Sequence, residues 1–182
     1  ERILVVGADD PMWRGALSGP GSLYVHSDRP MISENATSTF IHELVHVAMR
    51  ARSGPQADWI VEGLAEYYSL EALHRSGTVS TARFEQAHRT LADWAAREAG
   101  PLDAPSSSGA TTARAVGVLR KVDAEIRAAS GGRQSLDNVV ADLAAQPKAV
   151  TLDMFRASAE RHAGRTLASL QPAALKEPPA TR

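Results

Sequence analysis

Three features that would each point to a particular class of protein are missing from this sequence. It has no cysteine, which excludes disulfides and thiolate metal sites but leaves the redox compartment open. No apolar run approaches the length of a membrane-spanning helix. Neither sign of charge is in clear excess, because the sequence has 20 Lys and Arg and 21 Asp and Glu, which gives a net charge of −1. This balance argues against a nucleic-acid partner and against a polybasic membrane patch.

What remains is the composition of an ordinary globular protein. The hydrophobic share is 43% and the charged share 23%, and 182 residues are enough for one domain with a real core. We predict a single domain over residues 1–170 and a Pro- and Ala-rich tail, frayed or serving as a linker, over residues 171–182. Because the chain starts at Glu1 rather than Met, we expect a processed or partial chain whose upstream region is missing.

Hydrophobic periodicity and capping residues predict a mainly helical chain with a short sheet at its start. Two runs, at residues 2–6 and 21–27, predict strands, and the Gly-, Pro- and Asp-rich residues 8–20 between them predict a loop. The loop at residues 100–109 either borders a cleft or is an inert connector. The helices are predicted at residues 35–52, 58–75, 80–99, 111–129, 135–146 and 151–164.

The first predicted helix contains the stretch His42-Glu43-Leu44-Val45-His46, which fits the pattern H-E-x-x-H. Residues four apart lie on one face of a helix, so His42 and His46 can hold one metal ion between them. Glu43 is one step round the helix and can take a proton from a water on that metal. A hydrolytic zinc site needs these groups and an open coordination position. The pattern also recurs by chance, and the alternative is a helix with two surface histidines.

A second stretch, residues 58–68 with the letters DWIVEGLAEYY, strengthens the metal interpretation. HELVH followed by WIVEGLAEYY resembles the gluzincin metallopeptidases, first the glycyl aminopeptidase-like (M61) branch and then the larger M1 aminopeptidases. The resemblance implies that Glu62 is the third ligand of one zinc ion per chain, after His42 and His46. Two histidines plus one carboxylate, with water in the fourth position, is a known catalytic zinc set.

The C-terminal half of the sequence also follows the order of the M61 catalytic domain, through short runs at residues 122–127, 131–140 and 151–155. With the two motifs, the resemblance spans residues 33–164. It implies a mainly helical α+β fold of the zincin-like (thermolysin-like) type, with a small N-terminal β-sheet packed beside the HExxH helix. It also favours a periplasmic or extracellular location, which the residues themselves leave unknown.

The sequence departs from the family pattern in two places. Residues 112–115 have the letters T-A-R-A where the family often has Y-x-K-G, and no tyrosine occurs after Tyr68. In related enzymes that tyrosine donates to the oxyanion of the tetrahedral intermediate, and losing such a donor costs about 10²–10³ in rate. Either Arg114, His88 or another group replaces it, or the enzyme is slow. No G-x-M-E-N run precedes His42, so aminopeptidase specificity does not carry over.

Two further positions have both a functional and a structural interpretation. Glu66 lies one turn after Glu62 and either accepts a hydrogen bond from a ligand histidine, which we expect to be His42, or is a solvated charge. The strand Leu23-Tyr24-Val25 either lies at a sheet edge and binds substrate backbone by strand addition, or is purely structural. His26, at the end of this strand, either points into the cleft or, as is more common for a lone histidine at a strand end, is structural or exposed.

We therefore predict a zinc-dependent peptidase that hydrolyses a peptide or protein substrate, with Glu43 as general base. Two alternatives remain. One is a catalytically weak or inactive zinc-binding pseudopeptidase that serves as a binding or scaffold domain, and the other is a helical interaction module without metal. Metal content separates the last alternative from the other two, and turnover of a broad peptide library separates peptidase from pseudopeptidase.

Overall fold

The computed structural model of the protein describes residues 2–146 and 148–176. Over these residues the chain is mostly helical with a small sheet at its start, as the sequence predicts. A 3-10 turn at Ala168–Leu170 lies between the last two helices. The elements are β1 (Leu4–Ala8), β2 (Ala16–Gly19), β3 (Ser22–His26), α1 (Thr39–Met49), α2 (Asp58–Arg75), α3 (Thr81–Glu98), α4 (Gly109–Ser130), α5 (Leu136–Ala144), α6 (Leu152–Ala163) and α7 (Pro172–Lys176).

The sheet has the strand order β1-β3-β2, with β1 parallel and β2 antiparallel to β3. β2 departs from the sequence prediction, because it lies within residues 8–20, where Gly, Pro and Asp predict a loop. Pro20 and Gly21 form a two-residue turn, with Gly21 at a φ of +69°, and the hairpin pairs Gly19 with Ser22. The loop prediction is therefore wrong for residues 16–19.

β3 is the central strand of the sheet, with a partner on each side. Its backbone is paired with both neighbours, so the prediction that Leu23-Tyr24-Val25 forms an edge for strand addition is wrong. β2 is an edge strand, and it packs beside α1, the helix that carries the HELVH motif. β1 is the other edge, where Leu4, Val5 and Val6 are exposed.

α1 is shorter than predicted at both ends. Ser38 caps its start, and the Oγ of Ser38 accepts a hydrogen bond from Ile41 N at 3.2 Å. Residues 33–37 form a separate turn in which Ala36 has a φ of 60°, so the helix cannot begin at residue 35. Arg50 ends the helix in the left-handed conformation, with a φ of 52°. The motif residues lie within the regular part of the helix.

α2 has the bounds that the sequence predicts, and much of its surface is buried. Gly63 lets α2 approach α4 closely, because a Cβ at this position would lie 2.6 Å from the Cβ of Ala115 and 3.0 Å from Cδ1 of Leu119. A larger residue would push the two helices apart. Since Glu62 directly precedes Gly63, this close packing decides where the Glu62 carboxylate lies.

Side-chain hydrogen bonds hold α2 against α1 and against two loops. Ser69 Oγ donates to Ser38 O at 3.1 Å, which joins α2 to the start of α1. Asp58 accepts from Ser53 Oγ at 3.2 Å and from Ser107 N at 2.7 Å. These bonds tie the α1–α2 loop and the loop before α4 to the first turn of α2. The two helices that carry the sequence motifs therefore have a defined relative position.

α3 to α6 begin and end within two residues of their predicted bounds. They share a buried core with α2, in which the rings of Trp59 and Phe155 meet edge to face at 6.3 Å between centroids. The predicted tail begins with the short helix α7, and Leu175 of this helix packs against the core. Residues 177–182 lie outside the described residues. Within the described chain, no helix combines the length and apolar character needed to cross a membrane.

Candidate metal centre

The two histidines of the HELVH motif face one another from adjacent turns of α1. Their Nε2 atoms are 3.1 Å apart, and their ring centroids are 4.9 Å apart. The spacing of four residues places both rings on one side of the helix. The side chains of His42 and His46 are each 15% exposed, which does not fit the alternative of two surface histidines.

Glu62 of α2 completes a triangle of ligand atoms. Its Oε2 lies 3.3 Å from Nε2 of His42, and its Oε1 lies 3.5 Å from Nε2 of His46. Four ligands placed tetrahedrally at about 2.05 Å from zinc are about 3.3 Å from one another. The donor set and its spacing therefore fit a zinc ion. Within the described chain, these three residues are the one group of His, Cys, Asp or Glu side chains whose geometry could hold a metal.

The carboxylates around His42 control its protonation. Burial by itself would lower the pKa of His42, but hydrogen bonds and charges from Glu62 and Glu66 outweigh burial and raise this pKa to about 10. Burial would similarly raise the pKa of Glu62, but His42 and His46 lower it to about 2. Glu62 is therefore ionised at neutral pH. A divalent cation that displaces the His42 proton would meet the negative charge it needs.

Glu66 lies one turn after Glu62 and faces the other ring nitrogen of His42. Its Oε2 is 3.0 Å from Nδ1 of His42, and its side chain is 15% exposed. Nδ1 can donate to this carboxylate while Nε2 points toward Glu62, so the contact favours one tautomer of the ring. This contact is the one expected of a carboxylate that orients a ligand, and its burial does not fit a solvated charge. The effect of Glu66 on metal affinity stays a prediction.

Glu43 lies where two cavities meet at the candidate metal centre, by which we mean His42, His46 and Glu62. One cavity, of about 320 Å³, includes Trp94 in its lining, and we call it the Trp94 arm. The other, of about 500 Å³, includes Arg52, and we call it the Arg52 arm. Glu43 and Glu62 line both arms. Glu43 has no hydrogen bond or ion pair to any residue that the structure describes, so its carboxylate is available to a ligand in either arm.

The loop at residues 100–109 borders the cleft rather than serving only as a connector. Ser107 and Gly109 line the Trp94 arm. A Cβ at Gly109 would lie 2.5 Å from Cη2 of Trp94, so the glycine permits the indole ring to lie against the start of α4.

Neither residue considered as a replacement for the missing tyrosine lies at the metal centre. The Arg114 guanidinium donates to Gly100 O at 3.1 Å and to Leu175 O at 2.7 Å. It lines a separate cavity of about 480 Å³ that includes none of the three ligand residues. His88 is buried within α3. Thr112, from the same stretch as Arg114, does line the Trp94 arm.

Two further histidines, His26 and His74, have structural environments. His26 is buried, and its Nδ1 accepts a hydrogen bond from Asp28 N at 3.2 Å, in the turn that follows β3. His74 stacks on Phe84 with 4.3 Å between ring centroids, and its Nε2 is 3.2 Å from Thr81 Oγ1. Neither residue belongs to the metal centre.

Several residues of the cleft were not identified from the sequence. Leu17 and Ser18 of β2, and Arg52 and Ser53 of the α1–α2 loop, line the Arg52 arm. The letters G-P-G at residues 19–21, at the start of a predicted strand, are a hairpin signal that could have indicated β2. An arginine just after a helix has no local pattern that reveals what it lies beside in the folded chain.

A solved metallopeptidase structure has a similar fold. It is a variant of a two-domain M1 zinc metallopeptidase bound to the amino acid L-tryptophan, with a TM-score of 0.58 and 19% sequence identity. The match covers 96% of this chain and 41% of that protein, so this chain spans less than half of its length. No protein-family model and no curated protein matches the chain. The likeness is one of fold, shared with a gluzincin-class enzyme and not specific to the M61 branch.

Proposed function

We propose that the protein is a zinc-dependent peptidase of the gluzincin type. The observation that carries this proposal is the triangle formed by His42, His46 and Glu62, whose ligand atoms are separated by 3.1, 3.3 and 3.5 Å. Fold similarity to a zinc metallopeptidase over nearly the whole chain supports it. Within the gluzincin class, the HELVH and WIVEGLAEYY runs favour the M61 branch.

The proposed mechanism is metal-assisted hydrolysis of a peptide bond. His42, His46 and Glu62 would hold one zinc ion, and Glu66 would keep His42 in the tautomer whose Nε2 is a ligand. When bound, zinc supplies a Lewis acid that polarises the scissile carbonyl and lowers the pKa of a water. Glu43 faces the cleft and has no hydrogen bond or ion pair among the residues that the structure describes. Its carboxylate takes a proton from the attacking water and gives it to the leaving amine.

The edge strand β2 supplies a surface on which an extended peptide can bind. Its partner on one side is β3, and no described strand pairs with its other side. Leu17 and Ser18 of β2 line the Arg52 arm together with Glu43. A peptide added to this edge by backbone hydrogen bonds would lie beside the proposed general base. We therefore propose strand addition at β2, whereas from the sequence we considered it at β3.

A zinc-binding pseudopeptidase is the second candidate function. The observation that favours it is the missing tyrosine, since none follows Tyr68 and both Arg114 and His88 lie away from the centre. In this case the cleft would bind a peptide segment without cleaving it, and the protein would act as a binding or scaffold domain.

The variant Glu43→Gln separates the two functions. It keeps the shape of the side chain and removes the basic oxygen, so we expect full zinc content and a loss of peptidase activity of about 10²–10⁴. Zinc content and cleavage of a mixed peptide library are measured on the parent and the variant. Glu34→Gln is the matched control, because Glu34 is exposed in the turn before α1 and lines neither arm.

The outcomes of this assay are distinct. A zinc-loaded parent that cleaves peptides while Glu43→Gln does not supports the proposed function. A zinc-loaded parent that cleaves nothing in the library favours the pseudopeptidase. Equal activity in the parent and Glu43→Gln would show that Glu43 is not the base, and a parent without zinc would refute the metal centre itself.

A further inference from the structure

A further cavity continues the Arg52 arm beyond His46. It has a volume of about 640 Å³ and shares Ser18, His46 and Arg52 with that arm. Its lining also includes Arg2 and Arg50 and contains no described aspartate or glutamate. We call this cavity the basic groove.

Arg52 lies at the junction of the basic groove and the Arg52 arm. It lines both cavities, it is exposed, and it forms no ion pair with any residue in the described ranges. Asp58 also lines the arm, but its two carboxylate oxygens already accept hydrogen bonds from the neighbouring loops. The other acids of the arm, Glu43 and Glu62, belong to the metal centre. The Arg52 guanidinium is therefore open to a ligand in the cleft.

The backbone of Arg52 is fixed by the segment before α6. Arg52 O accepts from Val150 N at 2.7 Å, and Gly54 N donates to Val150 O at 2.7 Å. Gly54 permits this approach, because a Cβ there would lie 3.0 Å from Val150 O. A cation on a loop held in this way loses less backbone freedom when it binds a ligand.

The described lining of the Trp94 arm, on the other side of the metal centre, lacks the positive charge of the basic groove. The lining of the Trp94 arm contains no lysine or arginine among the described residues. It combines apolar and hydroxyl-bearing side chains with the carboxylates of the metal centre. A bound peptide can extend from the metal centre along either arm, and the two arms differ in charge. Of the two arms as the structure describes them, only the Arg52 arm and the groove that continues it are lined by arginines.

We propose that Arg52 is a specificity-determining residue and that the basic groove binds a carboxylate of the substrate. This inference rests on the proposed peptidase function and adds a substrate class to it, namely peptides with an acidic group on the Arg52 side of the scissile bond. Arginine suits this role, because its planar N–H donors match a carboxylate. The carboxylate comes either from an Asp or Glu side chain or from the C-terminus of the peptide.

The experiment measures binding separately from cleavage. Zinc-loaded Glu43→Gln protein is titrated with labelled peptides in matched pairs: Glu against Gln within the peptide, and a free C-terminus against a C-terminal amide. We expect the acidic member of one pair to bind about 3–10-fold more tightly. The preference should vanish when Arg52→Gln is added and reverse when Arg52→Glu is added. Arg133→Gln is the control, since Arg133 is exposed and lines neither the groove nor the arms.

The pair that shows the preference identifies the source of the carboxylate. Loss of the preference in Arg52→Gln but not in Arg133→Gln supports the inference. This holds even if the parent cleaves no peptide, and in that case only the proposed peptidase function fails. No preference for either acidic member, or a preference that Arg52→Gln leaves unchanged, overturns the inference. If the parent cleaves peptides in that situation, the proposed function stands without it.

Discussion

Two histidine environments in this protein, that of the largely buried His42 and that of the buried His88, have opposite electrostatics. At the metal centre, Glu62 and Glu66 raise the pKa of His42 to about 10 in spite of its burial. In α3, burial and the charge of Arg120 lower the pKa of His88 to about 4. Each ring nitrogen of His42 lies within 3.3 Å of a carboxylate oxygen, whereas Nε2 of His88 is buried and has no hydrogen-bond partner within the described chain.

The difference shows what separates a candidate ligand from a packing residue. Burial is common to His42 and His88, so burial alone does not make a histidine functional. A cation becomes favourable only where carboxylates supply compensating charge, and the two carboxylates around His42 do so. His88 instead packs edge to face against Phe84, with 4.5 Å between ring centroids.

The largest expected effect, on zinc content, comes from removing the two histidines of the metal centre. The double substitution His42→Ala/His46→Ala should abolish zinc binding, because two of the three proposed ligands are lost. His88→Leu should keep one zinc per chain. Elemental analysis after removal of loosely bound metal measures both, and circular dichroism checks that the double variant is folded. A folded double variant with full zinc content would remove the basis for the proposed centre.

Changing a carboxylate partner rather than a ligand should have a smaller effect. Glu66→Gln keeps the size of the side chain but weakens its bond to Nδ1 of His42, so zinc affinity should fall about 10–100-fold. Competition with a chromophoric chelator measures this. Glu71→Gln is the control on the same helix, because Glu71 pairs with Arg75 and not with the metal centre. Equal affinities for Glu66→Gln and the parent would mean that Glu66 does not support the ligand.

The pH dependence of the free energy of unfolding tests whether the fold keeps His88 neutral, in contrast to His42. Because the pKa of His88 is lowered in the folded protein, the unfolded chain binds this proton first as the pH falls below about 6.5. The stability that neutral His88 contributes is therefore complete above that pH and is lost as the pH falls toward about 4. Between pH 7 and pH 5 we expect a loss of roughly 1–2 kcal/mol from this residue.

His88→Leu isolates this contribution, because it removes the titrating ring and keeps an apolar side chain in its place. Urea denaturation of metal-free parent and variant is measured at pH 7 and pH 5. Carboxylates and His42 titrate in both proteins, so the difference between the two losses belongs to His88. If the parent and His88→Leu lose the same stability, His88 is not kept neutral by the fold.

The helices were more predictable from the sequence than the sheet. α2 has its predicted bounds because its density of apolar residues and Gly77, which has a positive φ of 76° just after it, are both local features. β2 was missed because four residues, Ala16–Gly19, become a strand only when β3 lies beside them. The same pairing makes β3 central and places the edge on β2. Strand order depends on partners distant in the chain, which a local pattern does not contain.

The sequence by itself determined the pairing of His42 with His46 and the position of Glu43 next to them, because helix geometry turns a spacing of four residues into a distance. Tertiary structure alone decided that Glu62 lies 3.3 and 3.5 Å from the two rings, since this requires α2 to pack in one position against α1 and α4. It also decided that Arg52 borders the cleft. Distances between separate elements follow from how side chains fill the core between them, which residue spacing along the chain does not specify.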